Sequence, residues 1–209
     1  MGGGWLFVGA LSGALVSPLL AHAGLAHLGR RHEASALLWL TSALAGGLAG
    51  AVAVATSDRA DVWQLAPALT VWGSSLVAAA ACDAVTQRIP TPLVRQATVL
   101  SSLLLGVALV AHGDWRGLVL SGVCSIAAGL TMTMCWRYAG AGFGDVRLAF
   151  LGGLGLGHVT HEGLQLGLAT VAVTTAVLAA VALARGGSRK TMIPYGPALV
   201  AGFLVAAAV

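Results

Sequence analysis

Apolar residues run along this chain in eight long stretches, separated by short clusters of polar residues, glycine or proline. They are Trp5–Leu28, Ala36–Ala55, Val62–Cys82, Pro92–Ala111, Leu118–Trp136, Val146–Thr160, Gly163–Ala184 and Ile193–Val209. Crossing the hydrocarbon of a bilayer takes about 20 apolar residues in a helix. A backbone in lipid must also satisfy its hydrogen bonds within the segment, which leaves helices as the choice. The pattern predicts an all-α polytopic membrane protein of about eight transmembrane helices, one domain over residues 1–209. The sixth stretch is short, and Gly152-Gly153-Leu154-Gly155-Leu156-Gly157 make it a poor helix in isolation. Its glycines predict close packing against neighbours, and Gly9 with Gly13, and Gly46 with Gly50, offer similar contacts.

Composition sharpens this reading. Hydrophobic residues make up 58% and charged residues 9%, whereas a water-soluble domain carries about 25% charged residues. The net charge of +4 is spread over short loops, which suits membrane topology and not nucleic-acid binding. Cys82, Cys124 and Cys135 form no C-x-x-C pair, so a zinc knuckle or disulfide framework is not expected and packing is. The histidines contain no His-Glu-x-x-His; His158, His161 and Glu162 come nearest and read as an interfacial loop, not a metal site. No metal or cofactor is expected. Trp5, Trp63 and Trp115, near segment ends, read as interfacial anchors.

The loops orient the chain. With the N-terminus outside, the inner loops hold Arg30, Arg31, Arg88, Arg95, Arg137, Arg147, Arg185, Arg189 and Lys190, and the outer loops only Arg59 and Arg116. This is a strong positive-inside bias. A re-entrant sixth segment would weaken it, so that segment is expected to cross, with local bilayer thinning. Ala21-His22-Ala23 resembles a leader cleavage site, but Met1–Gly4 carries no Lys or Arg and the charges follow at Arg30 and Arg31. That is the reverse polarity of a cleaved signal, and the first helix is expected to stay.

Among the seven acidic residues, Asp58, Asp61, Asp114 and Glu162 fall in outer loops, and Glu33 lies beside Arg30 and Arg31. Asp83 and Asp145 remain, both at the inner edge of the membrane, where a carboxylate marks a functional site by default. Two carboxylates a few ångströms apart cannot both ionise, so one is positioned to take a proton from water and the other to donate one to a peptide carbonyl. Shared depth predicts that the two meet. Continuing the third helix to Pro90 would place Asp83 about 10 Å before the break. Thr86 and Gln87, at i+3 and i+4, would then bond Asp83 from the same face. Asp145 follows Gly142-Phe143-Gly144 and opens the sixth helix, whose N-terminus favours negative charge. This predicts Asp145 as the resting carboxylate and Asp83 as the proton carrier. Gly142 and Gly144 let another backbone approach the acid, or simply form a loop. Ile193-Pro194-Tyr195-Gly196-Pro197 keeps the chain irregular where it enters the membrane and walls the site, or is a plain helix start with proline in its first turn.

Three stretches in order, Asp83 to Ile89-Pro90, Gly142-Phe143-Gly144-Asp145-Val146-Arg147-Leu148, and Ile193-Pro194-Tyr195-Gly196-Pro197, resemble the type IV prepilin peptidases. These are polytopic Gly-x-Gly-Asp aspartyl proteases of the bacterial plasma membrane. The resemblance covers about residues 65–209. It implies that Asp83 and Asp145 are the catalytic pair. It also implies that the substrate is a prepilin or pseudopilin precursor with a short basic leader, cut at the cytoplasmic face of the bilayer. Gly142, Gly144, Thr86, Gln87, Pro194, Tyr195, Gly196 and Pro197 would support the site. Thr91 and Arg147 depart from the family's usual Asn and Lys. Bifunctional members carry a zinc-binding domain in the first cytoplasmic loop, linked to methylation of the mature pilin. Here that loop is Gly29-Arg30-Arg31-His32-Glu33, so cleavage is implied and methyl transfer is in doubt.

Two other readings stay open. Presenilin-like and signal-peptide-peptidase-like intramembrane proteases also use Gly-x-Gly-Asp, and Pro197-Ala198-Leu199 matches their third motif, although Cys82-Asp83 replaces their Tyr-Asp. A small proton- or cation-coupled transporter would use paired acids too, but more naturally near the midplane at broken helices. Oligomeric state is open.

Overall fold

The computed structural model describes residues 3–186 and 193–209; Arg189, Lys190 and Met192 lie outside them. Among the described residues the chain is helical, without strands. The helices are α1 (Gly3–His27), α2 (Ala36–Arg59), α3 (Leu65–Thr86), α4 (Thr91–His112), α5 (Trp115–Ala139), α6 (Phe143–Leu154), α7 (His161–Ala184) and α8 (Gly196–Ala208). Six of them, α1 to α5 and α7, are long and apolar enough to cross a membrane. The protein is therefore built as a polytopic membrane protein. Only a single 3-10 turn, Arg31–Glu33, lies between α1 and α2, and there Arg30 pairs with Glu33 at 2.6 Å.

The expected helices form with altered boundaries at several ends. Helix α2 runs on to Arg59, so Asp58 and Arg59 occupy its last turn and not a loop, and Glu162 lies in the first turn of α7. Helix α6 starts at Phe143, before Val146, and stops at Leu154, because the glycine run offers little helix propensity. The last helix begins at Gly196, and residues 193–195 are not helical.

With 12 and 13 residues, α6 and α8 are only about 18–20 Å long, shorter than the ~30 Å of hydrocarbon. An irregular tail makes up the difference for the sixth segment. Ser125 donates to the Phe150 carbonyl at 2.7 Å, Gly153 packs on the Cys124–Ser125 backbone, and Gly157 packs on Gly117. His158 Nε2 then lies 2.7 Å from Asp114, the N-cap of α5. The segment thus follows α5 antiparallel from its last turn to its first. Helix α8 likewise runs from Gly196, beside Asp83, to Ala207, whose carbonyl accepts from Thr56 at the end of α2.

Helix α3 is the centre of the bundle, with 72% of its most apolar window buried, against 6% for α7. Its small residues (Gly73, Ser74, Ala78, Ala79) admit neighbours closely, and Trp72 fills the middle and donates from Nε1 to the Leu151 carbonyl at 2.8 Å. Helix α7 is apolar all round and largely exposed, as a lipid-facing helix can be. Gly9 and Gly13 pack onto Gly50 and Gly46 so tightly that a Cβ at any of the four would overlap the opposing backbone or side chain. The spacing of those glycines therefore reports a real helix contact.

Candidate active site

Asp83 and Asp145 reach the same end of the bundle from opposite directions. Asp83 lies in the last turn of α3, which ends at Thr86 because Gln87 turns left-handed (φ 53°) and its N–H closes on the Asp83 carbonyl at 2.8 Å. The helix does not continue to Pro90, so the break comes three residues after Asp83, not seven. Asp145 occupies the third position of α6, and Gly142 N–H donates to its Oδ2 at 3.0 Å, half of a capping box. Both acids are almost fully enclosed, 5% and 7% exposed.

The three sequence stretches converge here. Gly196 N–H, the first of α8, donates to Asp83 Oδ2 at 2.9 Å across 113 residues of sequence. Gly144 rests against Ile89, where a Cβ would lie 3.0 Å from the isoleucine Cβ. Arg147 donates to the Thr91 hydroxyl at 2.6 Å and stacks over Phe143 at 4.9 Å. The two departures from the resembled pattern, Thr91 and Arg147, are thus partners of each other. Gly144 and Arg147 tie the start of α6 to the linker that follows Asp83.

Some supporting residues act otherwise than their spacing suggests. The Thr86 hydroxyl bonds the Cys82 carbonyl at 2.8 Å and the main chain of Arg88, not the Asp83 carboxylate. A threonine near a helix end turns back to carbonyls one turn earlier, which left-handed closure at Gln87 leaves within reach. Gln87 closes α3 through its own N–H on the Asp83 carbonyl. Tyr195 and Pro197 flank Gly196 and face different sides. Pro197 and Ala84 line an apolar groove of 520 Å³ beside α2 and α3, and Tyr195 and Ala141 line one of 430 Å³ beside α5 and α7. Pro194 precedes them in the non-helical entry to α8.

The expected asymmetry between the acids has lost its basis. From the sequence, Asp145 is the expected carboxylate because it alone sits at a helix N-terminus. Asp83 in fact receives the first N–H of α8, so each acid is served by one helix start. The helix starts therefore favour neither acid as the proton carrier. Sequence reasoning also missed Cys82, whose thiol faces the Ala21 carbonyl at 3.4 Å and brings α1 behind Asp83. No local signal marks that contact.

At the opposite end, Asp114 caps α5 through Gly117 N–H at 2.9 Å and meets His158 at 2.7 Å; His161 meets Gln165. Among the described residues, no three His, Cys, Asp or Glu side chains gather as metal ligands. The Gly117 amide chiefly, and then the His158 ring, hold the Asp114 carboxyl below the usual carboxylate range. A lowered folded value means stability that is present above the unfolded pKa, about 3.9, and lost as pH falls below it. In detergent, Asp114→Asn is expected to unfold at lower temperature than wild type at pH 7, with the gap closing below about pH 4. A gap that stayed constant down to acid pH would show that the carboxylate charge contributes nothing.

No family model matches this chain, and no match to it emerges among curated proteins or solved structures.

Proposed function

We propose that the chain is a membrane aspartyl endopeptidase that removes the short basic leader from prepilin or pseudopilin precursors at the cytoplasmic face of a bacterial plasma membrane. The observation that carries this reading is the meeting of three distant stretches around two enclosed carboxylates, through Gly196 on Asp83, Gly142 on Asp145, Gly144 on Ile89 and Arg147 on Thr91. A pair sharing one proton does the chemistry of peptide hydrolysis. The ionised carboxylate takes a proton from water as the water oxygen attacks the scissile carbonyl carbon. The protonated partner gives its proton to the carbonyl oxygen. Collapse of the tetrahedral intermediate then passes a proton to the leaving nitrogen.

Charge distribution supports the orientation. Of the nine described basic residues, Arg30, Arg31, Arg88, Arg95, Arg137, Arg147 and Arg185 lie at the aspartate end, and Arg59 and Arg116 at the other. Eight crossings with the N-terminus outside satisfy the positive-inside rule and put the aspartates in the cytoplasmic leaflet. The acids also sit at the end of the bundle, away from the midplane where a transport pair belongs.

The test is to mix membranes containing the chain with a precursor that carries a basic leader before an apolar helix, and to read the products by mass spectrometry. One cut between leader and helix is expected, with the new N-terminus unmethylated, since the α1–α2 link holds no insertion. An intact precursor under conditions that preserve the fold would refute the reading.

A further inference from the structure

The end remote from the aspartates holds a polar cavity that peptide hydrolysis does not use. It measures 490 Å³ and lies where the last turns of α2 and α8 meet the first turns of α5 and α7; Arg59, Arg116, Asp114, His158, Thr160 and His161 bring polar groups to it. This end is acidic as a whole, carrying Asp58, Asp61, Asp114 and Glu162 against Arg59 and Arg116. Yet both arginines, and only Asp114 of the four acids, line the cavity.

That one acid is already engaged. Asp114 accepts from Gly117 N–H on Oδ1 and faces His158 on Oδ2. The cations keep donors to spare. Arg59 gives one guanidinium nitrogen to the Ala207 carbonyl and the Thr56 hydroxyl. Arg116 is exposed and makes no hydrogen bond or ion pair among the described residues. A guanidinium is always charged and presents a planar fork that matches a phosphate. Two of them in one cavity, at the end of the bundle where the described residues carry no other Arg or Lys, call for an anion.

We propose that this cavity binds the phosphodiester of an anionic phospholipid headgroup in the leaflet at that end. A lipid is favoured over free phosphate by the setting. Trp63 and Trp115, 61% and 62% exposed at the same end, mark the headgroup level. Leu120, Val159 and Val209 give the cavity apolar walls for the first methylenes of a lipid chain. The inference does not depend on the peptidase reading.

The experiment uses the full chain purified in mild detergent, with phosphatidylglycerol or phosphatidylcholine added and the retained lipid counted by native mass spectrometry. Wild type is expected to retain phosphatidylglycerol in preference to phosphatidylcholine. Arg116→Gln is expected to weaken that retention about tenfold, the scale of one charge-assisted contact. Arg185→Gln, at the aspartate end, is expected to leave it unchanged. Arg59→Gln is expected to weaken it too, but Arg59 also holds α8, so Arg116 decides. Equal retention in wild type and Arg116→Gln would overturn the proposal, as would an equal loss in Arg185→Gln, which would reveal diffuse charge attraction. Saturable binding of inorganic phosphate, without any preference between the two lipids, would overturn the lipid assignment.

Discussion

Replacing either Asp83 or Asp145 by asparagine is expected to cut precursor cleavage by at least about 10³-fold while the bundle stays folded. The size of the effect follows from the division of work between the two groups. An amide neither takes a proton from water nor delivers one to a carbonyl at neutral pH, so losing one partner disables both halves of the reaction. The fold is expected to survive because asparagine keeps an oxygen at the right place. It can still accept the Gly196 N–H now held at 2.9 Å, or the Gly142 N–H held at 3.0 Å. Cleavage rates with a fluorescent precursor, read beside thermal unfolding, separate the two effects. Near-normal cleavage in either variant would remove that aspartate from the mechanism. Combining both changes is expected to cost little more than one alone, since groups acting as a unit are not additive.

The second large effect is expected at a residue with no side chain. A Cβ on Gly196 would lie 2.9 Å from Asp83 Oδ2, closer than a packed interior tolerates, and a tight 3.1 Å from Asp83 Cβ. Gly196→Ala therefore pushes the carboxylate away or draws the start of α8 off it, and either movement weakens the 2.9 Å hydrogen bond. A displacement of about 1 Å at a reacting group costs about 100-fold in rate, so a loss of that order is expected, with KM changed far less than kcat. Gly122→Ala is the control: nothing lies within 4 Å of its would-be Cβ, and activity should not change. Gly144→Ala falls between, because its Cβ would meet the side chain of Ile89 at 3.0 Å, not a carboxylate. If Gly196→Ala cleaved as well as Gly122→Ala, the Gly196 contact would have no part in placing Asp83.

How far the site could be read beforehand varies from residue to residue. That Asp83 and Asp145 share one end followed from counting crossings, whereas the Ile89 side chain that packs on Gly144 was not foreseen. Thr86 misled, because the i+3 spacing says which face a side chain occupies but not that its hydroxyl will turn back to Cys82. Gln87 misled too. The left-handed turn that ends α3 there has no signature in a Gln-Arg-Ile-Pro stretch, where a glycine would have announced it. The assignment of the resting proton was incomplete for a related reason. It compared the local setting of each acid, and the α8 amide that equalises them comes from 113 residues away.

Local sequence, then, was enough for the membrane class, the number of helical segments, the small-residue seam between α1 and α2, and the ends at which charge collects. Each of these depends on what hydrocarbon excludes, and hydrocarbon acts on one segment at a time through its own length and polarity. Everything that makes the two acids a site came from assembly: α8 starting on Asp83, α6 bound to the linker through Ile89 and Thr91, and an irregular tail carrying the sixth segment to Asp114. Those contacts join residues far apart in the chain. Between segments equally apolar, the partner is chosen by shape and by the pairing of backbone groups left over at helix ends, which a linear pattern of hydrophobicity does not encode.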